Sequence, residues 1–382
     1  MEYRPGVKEV STILLINPWA GEVFPTPAIG YLQAAIKTAR PEVKVTAADM
    51  KVALGLLEKN TYDLVGVTYH SFSVKYARQI RSKVKGRLIC GGHHPSALPQ
   101  QMLDIGYDQV VVGEGENSLI GIIDGDTRPI ISGYINPFTL PDEMPFPDYT
   151  GLSWSGAMGM PIISSRGCTS VCTFCASTHF WGHKWKMRSA ENVLAEIDGM
   201  GLKKFMFEDD NMTVNKKRAL AICEGLKGKG YNWQCNSRAE TLMDEELCRA
   251  LKDAGCETVW CGIESLSQRS LDRCGKHTTV EKMLTGIETA DKVGLEVMAQ
   301  FIVGLPDDTE DDIRLTVENI KKSRIKRKGI QKIWIVPNTL AHDRAKDRGF
   351  NDEVFLKTGA PYYTYEQNMA TLDRWYKMIE KA

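Results

Sequence analysis

Several features that would assign a protein to a class at once are missing from this sequence of 382 residues. No apolar stretch approaches the ~20 residues that span a bilayer, and residues 1–5 begin no signal-peptide pattern. The formal net charge is zero, from 48 basic and 48 acidic side chains, so nothing favours nucleic acid or an anionic membrane as a partner. These absences predict a cytoplasmic protein that binds neither nucleic acid nor membrane.

Cysteine is well represented, with ten residues in a chain that has no export signal, which favours thiol or metal roles over disulfides. Cys168, Cys172 and Cys175 share one short loop with the spacing C-x3-C-x2-C. Three thiolates this close can bind three corners of a cubane iron–sulfur cluster. Because no fourth cysteine is near, one iron stays open to a substrate. A zinc site is the alternative, but zinc usually takes four ligands in pairs, and no C-x2-C partner follows.

The remaining cysteines of the C-terminal half have unrelated spacings. They are Cys223, Cys235, Cys248, Cys256, Cys261 and Cys274. Several fall within predicted strands or helices, where a thiol behaves as a small buried hydrophobe. A second cluster is the alternative interpretation of this set.

The cysteine loop, with Phe174 just before its last cysteine, resembles the signature of radical S-adenosylmethionine (SAM) enzymes. In that family the open iron of a [4Fe-4S] cluster binds SAM, and reduction cleaves SAM to a 5′-deoxyadenosyl radical. The resemblance therefore implies a [4Fe-4S] cluster on Cys168, Cys172 and Cys175, SAM as a second cofactor, and an external electron donor such as flavodoxin or ferredoxin.

Residues 1–125 alternate short apolar runs with helical patterns, which predicts a doubly wound parallel sheet covered on both faces. The strands are expected at 12–18, 43–47, 63–69, 87–92 and 109–113. Ligands of such sheets bind beyond the carboxyl ends of the strands. The residues at those ends are small or polar: Asn17, Pro18, Thr68, Tyr69, His70, Ser71, Gly91, Gly92, His93, Gly113, Glu114 and Gly115.

Taken in order, these strand ends resemble the cobalamin-binding domain that precedes many radical SAM enzymes. The resemblance implies a Rossmann-like fold with these residues as the cobalamin contacts. The Asp-x-His-x-x-Gly motif of other cobalamin proteins is absent, so the likeness is to the subgroup without a histidine on cobalt. Tyr69 and His70 are the candidates for the lower face of the cobalt. Taken singly, His70, His93 and His94 are equally consistent with ordinary loop histidines.

Residues 126–160 are rich in proline and predict an extended linker. Residues 161–340 form six βα units, which predict an open partial (β/α)6 barrel with its active site at the carboxyl ends of the strands. Its strands are expected at 161–165, 204–208, 233–236, 258–262, 296–303 and 331–336. A short C-terminal helical segment, 341–382, follows with an amphipathic helix at 366–380. The predicted fold class is α/β.

Six residues at or near the strand ends of this barrel are the SAM contacts that the resemblance implies: Phe174, Glu208, Asp209, Arg238, Glu264 and Gly304. The acidic pair is assigned to the amino group of SAM, since an ammonium needs carboxylate or carbonyl acceptors. Arg238 is assigned to the SAM carboxylate, which a guanidinium can pair bidentately, and Glu264 to the ribose. Phe174 and Gly304 are assigned to the adenine. The neighbouring Asp210 and Asn211 are equally consistent with a helix cap.

The combined resemblance covers nearly the whole chain and implies a cobalamin-dependent radical SAM methyltransferase that methylates an unactivated carbon through methylcobalamin and the 5′-deoxyadenosyl radical. Oxidation, cyclisation or rearrangement with the same cofactors is the alternative, and a non-catalytic carrier is a third. The short C-terminal segment predicts an open site for a peptide, a protein or a small molecule. A compact member of the family methylates a glutamine carbon of methyl-coenzyme M reductase, and that glutamine is the predicted substrate.

Overall fold

The structure is a computed structural model that describes residues 9–18, 26–132, 141–154 and 156–382. The chain divides into two compact units, the first of Met1–Ala157 with Asn351–Ala360 and the second of Met158–Phe350 with Pro361–Ala382. The segment predicted as a C-terminal addition, 341–382, is thus shared between the two units, and part of the predicted linker lies outside the described residues. Among the residues described, no helix has both the length and the apolar character to cross a membrane.

The first unit is built on a six-stranded parallel sheet of order β2-β1-β3-β4-β5-β6. The strands are β1 Thr12–Asn17, β2 Lys44–Asp49, β3 Leu64–Thr68, β4 Arg87–Gly91, β5 Gln109–Val112 and β6 Ile130–Ser132. The helices are α1 Pro27–Ala39, α2 Met50–Lys59, α3 Ala77–Lys83, α4 His93–Ala97, α5 Pro99–Asp104 and α6 Glu116–Ile123, with a 3-10 turn at Val74–Tyr76. β1 and β3 are buried along almost their whole length because helices cover both faces, which confirms the predicted architecture.

The second unit holds another six-stranded parallel sheet, of order β14-β13-β12-β11-β10-β7, and an antiparallel ribbon of β8 and β9. The strands are β7 Met160–Ile162, β8 Ser165–Gly167, β9 Trp185–Met187, β10 Lys204–Phe207, β11 Asn232–Ser237, β12 Cys256–Glu264, β13 Glu296–Val303 and β14 Arg327–Lys332. The helices are α7 Ala176–Phe180, α8 Ala190–Gly199, α9 Lys216–Leu226, α10 Glu245–Asp253, α11 Gln268–Arg273, α12 Val280–Lys292, α13 Glu310–Lys322, α14 Leu340–Asp347 and α16 Met369–Glu380. The intervening helix α15, Glu353–Thr358, belongs to the first unit.

The core of the second unit lies between the sheet and its covering helices. Phe205, Phe207 and Trp233 are fully buried there, and the rings of Phe205 and Trp233 are parallel with centroids 6.1 Å apart. Helix starts are specified locally, as at α13, where Thr309 and Asp312 form a reciprocal capping box. This packing fixes the strand ends from which the candidate site is built.

One strand differs from its prediction. The sixth strand of the second sheet was expected at 331–336, but β14 ends at Lys332. β14 lies at the sheet edge, where Lys328 Nζ reaches the Ala382 carbonyl at 2.8 Å and Lys332 pairs with Asp373. Its sequence is therefore polar, and the apolar run that suggested a strand belongs to the segment after it. The short β6, β8 and β9 were not predicted because three residues carry no measurable periodicity.

Candidate active site

The three predicted cluster ligands lie in one segment between β8 and α7, residues 168–175, which we call the cysteine loop. All three are free thiols, with Cys172 buried and Cys168 and Cys175 partly exposed. Within the described part of the chain, no three His, Cys, Asp or Glu side chains converge as the ligands of one metal ion do. A closed zinc site requires that convergence, whereas each cysteine of a cubane binds a different iron. Three thiols in one short loop are the donor set that a cubane cluster needs.

Arg238 connects the cysteine loop to other segments of the second unit by hydrogen bonds. Its Nη1 donates to Ser170 Oγ at 2.7 Å, its Nη2 donates to the Lys276 carbonyl at 2.5 Å, and its Nε bonds Glu240. Each of the three guanidinium nitrogens thus already donates to the protein. Nη1 and Nη2 each carry a second N–H, so the bidentate pairing of Arg238 with a SAM carboxylate stays a prediction.

A buried ion pair lies next to the cysteine loop. Lys276 Nζ is 2.9 Å from Glu264 Oε1, and the two residues are only 4% and 7% exposed. Burial lowers the pKa of Lys276, but the charges of Glu264 and Cys172 outweigh it, so the pKa lies above its usual value. Lys276 was missed in the sequence, because a single lysine after α11 carries no local signal that the fold brings it to the cluster cysteines.

Glu208 presents an unsatisfied carboxylate at the end of β10. Its Oε1 is buried and has no hydrogen-bond partner among the described residues. Burial, followed by repulsion from Asp209 and Asp210, raises the pKa of Glu208 to about 7. A buried acceptor of this kind needs an explanation, and a cationic ligand group is one that the site itself suggests. The position fits the ammonium of SAM.

Asp209, which follows Glu208, is held by hydrogen bonds from two serines. Its carboxylate accepts hydrogen bonds from the Ser164 backbone N–H at 2.7 Å, from Ser164 Oγ at 2.6 Å and from Ser165 Oγ. The residue is 1% exposed. Because these donors contact both oxygens, Asp209 fixes the start of β8. The contact of Asp209 with SAM stays a prediction.

Asp210 connects the same acidic segment to β8 and to α7, the elements on either side of the cysteine loop. Burial raises the pKa of Asp210, and hydrogen bonds from the Ser177 side chain, the Gly167 backbone and the Trp181 indole oppose that rise. Asp210, for which the sequence also allowed a helix-cap role, thus connects separate segments of the chain. Phe174 lies within the cysteine loop and is partly exposed.

The segment after β13 contains one predicted and one unpredicted residue. Gly304 has a φ of 84°, which favours glycine, and a Cβ there would lie 2.5 Å from Leu372 Cδ2 on α16, so a ligand can meet only its backbone. Asp308 follows, with Oδ1 accepting from Ser270 Oγ at 2.6 Å and Oδ2 buried without a partner. Burial raises the pKa of Asp308 to about 7. Nothing in the local sequence distinguishes this carboxylate.

In the first unit, the predicted cobalamin residues follow β1, β3, β4 and β5, which are neighbours in the sheet. Their ends therefore form one continuous edge. The exposed ring of His70 stacks on the partly exposed ring of His93, with centroids 5.1 Å apart and planes 24° apart. Asn17 and Thr68 are buried beneath, and Gly113 N–H donates to Ser96 Oγ at 2.9 Å. An edge of small residues and stacked rings fits a large flat ligand.

Tyr69 does not present its side chain to that edge. It is fully buried, its hydroxyl lies 2.6 Å from the hydroxyl of Tyr107, and burial raises its pKa well above the usual value. The Tyr69 hydroxyl is therefore directed into the core, and the place of this residue at the lower face of the cobalt stays a prediction. His70 keeps its place as a candidate.

The comparison with known proteins agrees with both sites. Residues 162–320 match the radical SAM superfamily, and residues 17–123 match the B12 binding domain. An uncharacterised methyltransferase of Pyrococcus horikoshii is 30% identical over 378 residues, covering 82% of this chain and 78% of that protein. Bacteriochlorophyllide d C-12(1)-methyltransferase of Chlorobaculum tepidum is 26% identical, covering 75% of this chain and 66% of its own length.

A solved structure shares the fold. The radical SAM methyltransferase TsrM of Kitasatospora setae, solved with tryptophan substrate and a SAM analogue, superposes with a TM-score of 0.70 at 17% identity, covering 86% of this chain and 74% of that one. Both domain matches and the Pyrococcus relative define the class as cobalamin-dependent radical SAM enzymes. The chain belongs to the methyltransferases of this family, whose cofactors are a [4Fe-4S] cluster, SAM and cobalamin.

Proposed function

We propose that the protein methylates an unactivated carbon of a protein side chain, with the glutamine of methyl-coenzyme M reductase as the first candidate. The observation that carries the use of SAM is the buried oxygen of Glu208 that has no hydrogen-bond partner among the described residues, on the acidic segment whose Asp210 bonds residues on either side of the cysteine loop. The cationic amino group of SAM, bound at the open iron, would be the hydrogen-bond donor to this oxygen.

The residues have separate tasks in this proposal. Cys168, Cys172 and Cys175 hold three irons, and Glu208 accepts the ammonium of SAM. Arg238 supplies positive charge for the SAM carboxylate, and Lys276, held by Glu264 at 2.9 Å, adds a second cation near the cysteine loop.

Contacts with the rest of SAM complete its orientation. Phe174 and the backbone of Gly304 flank the adenine, and Glu264 meets the ribose. When bound, the cluster with SAM supplies hydrogen abstraction and cobalamin supplies the methyl group, while the protein positions the reactants and excludes water.

The first unit holds the cobalamin at the edge formed by β1, β3, β4 and β5, with His70 and His93 against the corrin. The cluster requires an external one-electron donor, for which flavodoxin or ferredoxin is proposed. Ten free cysteines suit a reducing compartment, and the cytoplasm is the proposed location.

The test uses the anaerobically purified chain supplied with iron, sulfide and cobalamin, then with SAM carrying a labelled methyl group, a reductant and a peptide that spans the glutamine. We expect 5′-deoxyadenosine and label on a carbon of the peptide, with the Cys172→Ser variant as the inactive control. Formation of 5′-deoxyadenosine by the reduced protein would eliminate the carrier interpretation. Cleavage of SAM with oxidation or cyclisation of a substrate in place of labelling would select the alternative chemistry. Labelling of another substrate would contradict only the glutamine assignment.

A further inference from the structure

Residues 351–360, which we call the strap, leave the second unit and pack into the first. Phe355 is fully buried, and Leu356 and Ala360 are 4% and 5% exposed. The segment is therefore a part of the core of the first unit, although about two hundred residues separate it from the rest of that unit. The residues it contacts are those around the loop after β3, residues 69–73.

A chain of hydrogen bonds runs from the strap to that loop. Gln101 Nε2 donates to the Asp352 carbonyl at 2.8 Å, and Gln101 Oε1 lies 2.9 Å from His94 Nε2. His94 Nδ1 lies 3.1 Å from Ser71 Oγ. A carbonyl can only accept, so the orientation of the Gln101 amide is determined, and His94 Nε2 must carry the proton. Ser71, His94 and Gln101 thus all donate in the same direction, towards the strap.

The strap meets the same loop at two further points. The ring of Phe355 packs edge-on against His94, with centroids 5.1 Å apart. Gly359 has a φ of 79°, and a Cβ there would lie 2.7 Å from the carbonyl oxygen of Phe72. Only glycine permits both this backbone conformation and this approach. The strap therefore contacts Gln101 through Asp352, His94 through Phe355 and Phe72 through Gly359.

We propose that the strap and His94 position the loop that carries His70, so that the corrinoid site of the first unit is complete only when residues 351–360 are docked. This rests on the proposed function, in which His70 and His93 meet the cobalamin. His94 is the positioning residue: it follows His93 directly, is fully buried, and links Ser71 to Gln101. It does not itself contact the ligand.

The test compares Gln101→Leu with Gln100→Leu in the full-length chain. Gln101→Leu removes the link between His94 and the strap, whereas Gln100 is exposed and bonds only Asp104 on its own helix. Amide hydrogen exchange of residues 69–73 in cofactor-free protein is the first measurement, and cobalamin affinity by absorbance is the second. We expect about tenfold faster exchange and about tenfold weaker cobalamin binding for Gln101→Leu only, the size of one or two lost hydrogen bonds.

Two further variants keep the test decisive if Gln101→Leu fails to fold. Gln101→Glu keeps the acceptor for His94 but loses the donor to Asp352, so it should accelerate exchange in the strap more than in residues 69–73. Gly359→Ala should accelerate exchange in both. Equal exchange in the Gln101→Leu and Gln100→Leu variants would overturn the positioning role. If the wild-type chain retains no cobalamin, the proposed function fails, and the exchange data alone decide the role of the strap.

Discussion

The loops at the ends of β10 and β12 contain buried ionisable side chains, whereas those at the ends of β3 and β4 are held by neutral hydrogen-bonding groups. Both sets lie at the carboxyl edge of a parallel sheet. The first set buries ionisable groups, with Glu208 unpartnered and Glu264 paired to Lys276. The second is stabilised by neutral donors and acceptors, such as the contact of Ser71 with His94. A parallel sheet thus provides an edge at which ligands bind, and the loop residues determine which ligand binds there. The loops of the second unit suit a charged ligand, and those of the first unit suit a flat one.

Among the substitutions that test this comparison of the two sheet edges, we expect the largest loss of activity from one in the cysteine loop. Cys172→Ser should abolish cluster assembly and SAM cleavage, because a hydroxyl does not replace a thiolate on iron. The measurements are iron and sulfide content after reconstitution and the yield of 5′-deoxyadenosine.

Cys223→Ala is the matched control for the cluster experiment. Cys223 lies in the core of the second unit, and burial raises its pKa to about 12, so it offers no thiolate at neutral pH. This variant should keep its iron. Equal iron in the Cys172→Ser variant and the wild type would contradict the assignment of the cluster to the cysteine loop.

The buried ion pair is expected to give the next largest effect. Lys276→Met leaves Glu264 buried without its cation, which typically costs about 3–5 kcal/mol of unfolding free energy. The double variant Lys276→Met/Glu264→Leu should recover much of that loss, because no buried charge remains unpaired. Urea unfolding of the four proteins measures the coupling. Additive losses would show that the two side chains do not act as a pair.

Glu208 should make the free energy of unfolding depend on pH, and the Glu208→Gln variant should lack this dependence. Its pKa rises from 4.5 to about 7 on folding, so the folded state binds the proton more tightly than the unfolded chain. The stabilising contribution is complete below pH 4.5 and is lost as the pH rises through 7. Glu208→Gln should therefore gain roughly 1–3 kcal/mol relative to the wild type between these limits, measured by urea unfolding. A pH-independent difference would mean that the carboxylate is not desolvated.

The smallest effect is expected at an ion pair of the first unit. Arg78 and Glu353 join α3 to the strap at 2.9 Å, but their side chains are 55% and 43% exposed. Arg78→Ala should lower the unfolding free energy by less than about 1 kcal/mol, and by less still at high salt. If Arg78→Ala lowered the unfolding free energy as much as Lys276→Met does, the expected difference between buried and exposed ion pairs would be contradicted.

The order of the elements could be predicted from the sequence because the sheet imposes simple patterns. β1 and β3 are covered on both faces and are therefore continuous apolar runs, and the spacing of the three cysteines is local. The edge strand β14 obeys a different constraint, since its lysines reach backbone carbonyls and Asp373, and its position was predicted four residues late.

The roles of individual site residues depend on partners far away in the chain. Asp209 is satisfied by serines some forty-five residues earlier, and Arg238 by Ser170 and Lys276. Which acceptor a guanidinium finds is decided by how the loops pack, and no local pattern encodes that choice. The same holds for His94, which could be identified in the sequence only as a histidine in a loop.

The position of the strap also has a consequence for synthesis on the ribosome. Chains are made from the N-terminus, and N-terminal domains generally fold first. Here the first unit lacks Phe355 and Gly359 until every strand of the second sheet has been translated. The cobalamin-binding unit therefore has its full set of residues only after all strands of the second sheet have been translated.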